Sequence, residues 1–131
     1  MHIFRSASTP PNPVDPSTFV GPATVQRLAE DSAGVPVGVY RVAFDDGGRT
    51  NWHSHSGPQW LFIVEGRIRV QRQGEAAQDL IEGDAVVFAA GEKHWHGAVP
   101  GSRGTHLAVN VNLQTTWMEA VSESEYSAVE G

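Results

Sequence analysis

The sequence predicts an all-β fold, an antiparallel sandwich or barrel of short strands, and three observations carry that expectation. Turn-forming clusters recur at short intervals from Ala23 onward: Ser32-Ala33-Gly34, Asp45-Asp46-Gly47-Gly48, Ser56-Gly57-Pro58, Gln73-Gly74, Glu82-Gly83-Asp84, Gly91 and Pro100-Gly101. The segments between them alternate apolar with polar residues and favour β-branched and aromatic types. Helix signals are confined to Ser122 to Tyr126, where Ser122 and Glu125 have the spacing of a capping box.

In chain order, residues 1–22 carry Pro10, Pro11, Pro13, Pro16 and Pro22 together with Asn12 and Gly21, so they are expected to form an extended or loosely ordered arm over the domain or a partner. Residues 23–131 are then expected to form one barrel domain. Its candidate strands run near Thr24–Leu28, Pro36–Phe44, Thr50–His55, Trp60–Glu65 and Arg67–Gln73. Others follow near Ala76–Ile81, Ala85–Ala89, His94–Ala98 and Thr105–Asn112. On the last of these, if His106 points inward, so do Ala108 and Asn110. Leu107, Val109 and Val111 then form a wholly apolar opposite face that something must cover, most simply a second copy in a homodimer.

Composition excludes several classes. The net charge of -6 opposes a nucleic-acid role, which needs phosphate neutralisation. Arg67, Arg69 and Arg72 alternate with Ile68 and Val70 and read as the wet face of a strand. With no cysteine, there is no disulfide, thiolate ligand or cysteine nucleophile. The longest apolar run, Ala85 to Ala90, is far too short for a bilayer, and the N-terminus lacks the apolar core of a secretory signal, so a cytoplasmic location is expected. The serines sit in loops without a nucleophile-elbow pattern.

The chemistry gathers in two stretches. In Gly47–Gly66, His53 and His55 lie two apart, on one face of a strand, and Gln59 follows four residues later. In Gly83–Ala98, His94 supplies a third imidazole. Three neutral imidazoles and an amide oxygen make a site for one divalent transition metal whose charge they leave uncompensated. His96 lies two beyond His94 and should face the same cavity, as should His106 from another strand; imidazoles of near-neutral pKa suit proton transfer. Tyr40 and Val42 belong to an alternating stripe that should line the pocket, and Thr50 and Asn110 can hydrogen-bond a substrate. Trp52, Trp60 and Trp95 alternate out of register with the ligands and read as packing residues.

These residues carry a resemblance. Gly47, five residues, His53-x-His55, three residues, Gln59, six residues, Gly66 resembles the first cupin motif. Gly83, five residues, Ala89-x-Gly91, two residues, His94, three residues, Ala98 resembles the second. Gln59 stands where glutamate is usual, Ala89 where proline is, and Ala98 where asparagine is. The run Gly91–Ala98, the segment Thr105–Ala108, Trp117-Met118-Glu119 and Tyr126 further resemble the small bacterial cupins that include manganese-dependent hydroxynitrile lyases.

The resemblance implies a cupin (double-stranded β-helix, or jelly-roll) antiparallel barrel. It also implies metal ligation by His53, His55, Gln59 and His94. Manganese is the first choice of ion and iron the second, while nickel or zinc can enter recombinant protein because raw affinity follows the Irving–Williams order. Lyase action on a small hydroxylated or carbonyl compound, such as a cyanohydrin, leads, with His96 and His106 as acid–base groups. A dioxygenase and a non-enzymatic small-ligand binder stand as alternatives. A phenol at position 40 is expected to narrow the pocket and favour small aliphatic substrates.

Overall fold

The computed structural model describes residues 1–31 and 33–128. A 3-10 turn at Ser6–Ser8 precedes twelve strands: β1 (Asn12–Pro13), β2 (Phe19–Val20), β3 (Ala23–Ala29), β4 (Val37–Phe44), β5 (Arg49–Thr50), β6 (His53–His55), β7 (Gln59–Arg72), β8 (Gln78–Ile81), β9 (Ala85–Phe88), β10 (His94–Ala98), β11 (Gly104–Val111) and β12 (Thr115–Trp117). A short helix, α1 (Glu123–Ser127), closes the described chain. Neighbouring strands pair in the order β1-β3-β4-β11-β7-β10-β5-β2, all antiparallel, with β6 on β10, β12 on β6, and β8 and β9 on β7.

The barrel turns its corner on β7. Two strands broken at Gly66 are expected there, yet the chain continues through that glycine as one bent strand. Its first half pairs with β11 and β9, and its second half with β10 and β8. Gly66 has φ +65°, and a Cβ on it would fall 2.1 Å from the Arg103 carbonyl oxygen. Only glycine allows both the left-handed backbone and that approach.

The interior alternates as the pattern predicts. Val42, Phe44, Leu61, Ile63, Ile68, Val70, Phe88, Ala98 and Ala108 form the main core. Burying a large side chain among them contributes roughly 1.5–3 kcal/mol. Trp52 and Trp95 pack with Val121 and Tyr126 in a second cluster beneath the C-terminal segment, as packing residues should. Trp60 lies instead on the outer face, paired across the sheet with Val109 and Val87.

Two readings change, and of the two places open to the arm one is taken. Arg69 is not on a wet face but 7% exposed, because the C-terminal segment lies over it. Its guanidinium donates to both Asp79 carboxylate oxygens (2.8 and 3.1 Å) and to the carbonyls of Tyr126 (2.8 Å) and Ala128 (3.3 Å). The proline-rich segment is laid on its own barrel, with β1 on β3 and β2 on β5. Thr115–Trp117, passed over in the sequence, is a strand paired with β6. Helix α1 does carry the expected capping box: Ser122 Oγ accepts from Glu125 N–H, and the Glu125 carboxylate accepts from Ser122 N–H. Of the turn Ser32-Ala33-Gly34, Ser32 lies outside the described residues, while Ala33 and Gly34 both have positive φ. Among the described residues no helix is long and apolar enough to cross a membrane.

Candidate metal centre

Three strands deliver the imidazoles. Alternation on β6 puts His53 and His55 on one face, with ring centroids 4.9 Å apart. The antiparallel register of β10 sets His94 opposite His53, their centroids 4.3 Å apart. His96 projects from β10 on the same side as His94, and His106 from β11 on the side that carries Ala108. All five are buried, His94 and His106 fully so.

Hydrogen bonds on the back of each ring decide what the front presents. His53 donates through Nδ1 to the Asn51 carbonyl (2.8 Å), and His94 through Nδ1 to the Glu92 carbonyl (2.7 Å). A carbonyl can only accept, so both rings keep an Nε2 lone pair for the interior. His55 Nδ1 shares a hydrogen bond of 2.9 Å with Thr115 Oγ1, and its buried Nε2 has no partner. Gln59 donates through Nε2 to Asn110 Oδ1 (2.9 Å), which turns Oε1 inward, 3.4 Å from His94 Nε2. Nitrogens of His53, His94 and His96 lie within 4.8 Å of one another.

This donor set fits a divalent metal. A buried imidazole nitrogen without a partner costs roughly 1–3 kcal/mol, and His55 Nε2 is in that state. A bound cation would relieve it. Burial keeps the rings neutral, as ligation requires: it pushes His94 down to about 4 and holds His53 and His96 well below the ordinary 6.5. His55 is lowered for the same reason. Phe88 stacks on His94 at 3.7 Å and Trp117 lies 4.7 Å from His53, walling the rings with apolar surface.

His96 and His106 form a pair: His106 Nε2 and His96 Nδ1 are 2.9 Å apart, leaving His96 Nε2 and His106 Nδ1 without partners. The near-neutral pKa expected of them does not hold, since full burial pushes His106 down to about 3 and His96 well below its ordinary value. Both are neutral imidazoles sharing one hydrogen. Shifting that hydrogen from one ring to the other, as one outer nitrogen gains a proton and the other loses one, exchanges which outer nitrogen is donor and which acceptor.

These groups open on a cavity of about 320 Å³ lined by His53, His55, Gln59, His96, His106, Tyr40, Val42, Thr50 and Asn110, together with Ala108 and the arm. The structure thus gathers around the cavity every candidate site residue named from the sequence except His94, whose ring packs on Phe88. Two of the expected substrate-binding groups are already engaged. Thr50 Oγ1 accepts from the His96 backbone N–H (3.2 Å), and Asn110 orients Gln59. Residues the sequence did not flag complete the wall: Val14, Thr18 and Phe19 of the arm, with Thr115 and Trp117 of β12. The alternation of Thr115 and Trp117 was the available signal for β12, whereas nothing local marks Phe19 as a cavity residue.

Comparison with known proteins agrees with this architecture. The sequence model of the cupin domain family matches residues 40–109. Over 129 residues the chain is 36% identical to an (R)-mandelonitrile lyase of Granulicella tundricola, covering 96% of this chain and 98% of the relative. The crystal structure of a cupin-like protein from Thermotoga maritima superposes with a TM-score of 0.85 at 33% identity, covering 96% of this chain and 95% of that one. The polyketide cyclase RemF of Streptomyces resistomycificus, 17% identical, shares the fold with a TM-score of 0.73 over 97% of this chain and 89% of its own.

Proposed function

The chain belongs to the cupin family, and from that premise we propose that it is a metal-dependent lyase that cleaves a small hydroxylated compound of the cyanohydrin type. The observation that carries this reading is the buried His96–His106 pair, whose His96 lies within 4.8 Å of His53 and His94. The 36% identity to a mandelonitrile lyase supports it. Manganese is the favoured ion and iron the second; His53, His55, Gln59 and His94 are the proposed ligands. Held there, the ion supplies Lewis acidity toward a substrate oxygen.

The chain's own groups do the rest. His96 Nε2, facing the cavity with its lone pair, takes the hydroxyl proton. As the carbonyl forms, the carbon–carbon bond breaks and its electron pair leaves with cyanide. The proton gained at His96 is balanced by one released to cyanide from His106 Nδ1, through the shared hydrogen between the rings. The products are a carbonyl compound and hydrogen cyanide, and the pair ends in its other tautomer. Apolar walls of Val42, Ala108, Phe19 and Trp117 keep water from competing for these protons. The amide of Gln59 adds no negative charge where a carboxylate would, which preserves the ion's acidity.

An anaerobic screen of manganese- and iron-loaded protein against cyanohydrins tests the proposal, with oxygen admitted afterwards. Turnover without oxygen is the expected result, and its loss in His96→Ala and His106→Ala at full metal occupancy should follow. Oxygen uptake with iron-dependent turnover would favour a dioxygenase; saturable binding without turnover would favour a ligand-binding role. We place the protein in the cytoplasm as a homodimer joined through the outer face of β11.

A further inference from the structure

Gly38 and Tyr40 lie two apart on β4, on the face opposite Asn110 and Ala108 of β11. Val42, next on that face, lies opposite His106. The row therefore runs from Gly38, outside the cavity, to its histidine-bearing end at Val42. Tyr40 sits in the middle, where a ring pointing inward would block the way.

The ring does not point inward. A Cβ built on Gly38 would meet Tyr40 Cε2 at 2.8 Å, the hydroxyl oxygen at 2.9 Å and Cζ at 3.2 Å. The far edge of the phenol thus lies over Gly38, leaning toward the outer end and away from Val42 and His106. Arg27, opposite Tyr40 on β3, holds its guanidinium 5.7 Å from the ring centroid and is itself paired with Glu30 at 2.8 Å. Tyr40 also lines a second, outer hollow of about 650 Å³, which it shares with Gly38. The other two residues common to both spaces, Asn110 and Thr115, are tied to Gln59 and His55. Tyr40 is the member of the partition held from outside, by Arg27, and not by the residues around the histidines.

We propose that Gly38 and Tyr40 together determine the size of substrate the cavity accepts: Gly38 is a berth for the phenol, and the berth is what leaves room for an aryl-sized substituent beside the histidines. This rests on the cavity being the substrate site, as argued above. It also runs against the expectation that a phenol at position 40 favours small aliphatic substrates. Any side chain at 38 must displace the ring, because the atoms it meets belong to the movable end of Tyr40 and not to the backbone. The displaced ring swings along β4 toward Val42 and fills the cavity.

The test needs no turnover, so failure of the lyase reading leaves it intact. Cobalt-loaded protein is titrated with acetohydroxamate and benzohydroxamate, which share a metal-binding head and differ only in methyl against phenyl, and binding is followed by the visible spectrum of the ion. Wild type should bind the two within tenfold of each other. Gly38→Ala should weaken benzohydroxamate at least tenfold more than acetohydroxamate, and Gly38→Ala with Tyr40→Ala should restore it. Equal weakening of both probes, no restoration in the double variant, or no spectral response to either probe in wild type would overturn the proposal. Tyr40→Ala alone guards against a misfolded Gly38 variant: it should change benzohydroxamate affinity less than threefold. A gain of tenfold or more would mean that the ring already fills the cavity, and would overturn the proposal too.

Discussion

Asn110 has a different task from the one its residue type suggests. Its Oδ1 accepts from Gln59 Nε2 and so decides which end of that amide faces the histidines. Asn110→Ala frees Gln59 to rotate, and metal affinity should fall about 10- to 100-fold, as for other groups that orient a ligand, with little change in the unfolding midpoint of the metal-free protein. Competition against a chelator reads this directly. Gln59→Glu acts in the opposite direction on affinity, since a carboxylate adds charge to the ion's surroundings. Binding should tighten and turnover should drop, measured at matched occupancy.

The buried histidines also set a pH dependence. His94 and His106 have folded values of about 4 and about 3, below the ordinary 6.5, chiefly through burial. Between those limits the unfolded chain binds more protons than the folded one, so stability is highest above pH 6.5 and is lost as the pH falls toward 4. Each group costs at most about 1.4 kcal/mol per pH unit in that window. Thermal unfolding of the metal-free protein from pH 7.5 to 4.5 should show a monotonic decline; a flat profile would contradict the burial argument.

At the scale of elements, β7 bears the geometry of the site. Its bend at Gly66 lets one strand present Gln59 in one half and pair with the histidine strand β10 in the other. Gly66→Ala puts a Cβ against the backbone oxygen of Arg103, which cannot move aside as a side chain can. Destabilisation of roughly 3 kcal/mol or more should follow, read by urea unfolding. The turn before His94 is built in the same economical way. Ala89 donates its N–H to Glu92 Oε2 (2.7 Å), while Glu92 Oε1 accepts from Arg72 (2.9 Å) and the Glu92 carbonyl holds His94. A proline at 89, usual in the motif, has no N–H for that bond. The alanine therefore suits this particular turn.

For the whole molecule, the outer face of the sheet carries a row of exposed apolar side chains. Phe62 (42% exposed), Val87 (51%) and Val111 (36%) lie on the same face as Leu107 and Val109, in the registers Leu107 with Phe62 and Val109 with Trp60. Apolar area of this extent on one sheet face favours burial against a second copy. Light scattering should return twice the chain mass at micromolar concentration, and Val109→Glu should give a folded monomer that keeps its metal. A monomeric wild type would remove the homodimer proposal.

The legibility of this protein divides by the range of the interactions involved. Most strand positions, the capping box at Ser122 and the shared facing of His53 with His55 and of His94 with His96 follow from alternation and turn chemistry, which act over a few residues, so the sequence alone determines them. Gln59 was readable as a ligand candidate from its spacing alone. What tertiary structure decides is set by contacts between distant segments. Arg69 is buried because residues 126–128 return to cover it. Phe19 lines the cavity because β2 pairs with β5 thirty residues on. The histidine pair loses its near-neutral character because β10 and β11 enclose both rings. Tyr40 leans over Gly38 because a missing side chain leaves it a place to lie, and only packing reveals which way a ring turns when both directions fit the same strand.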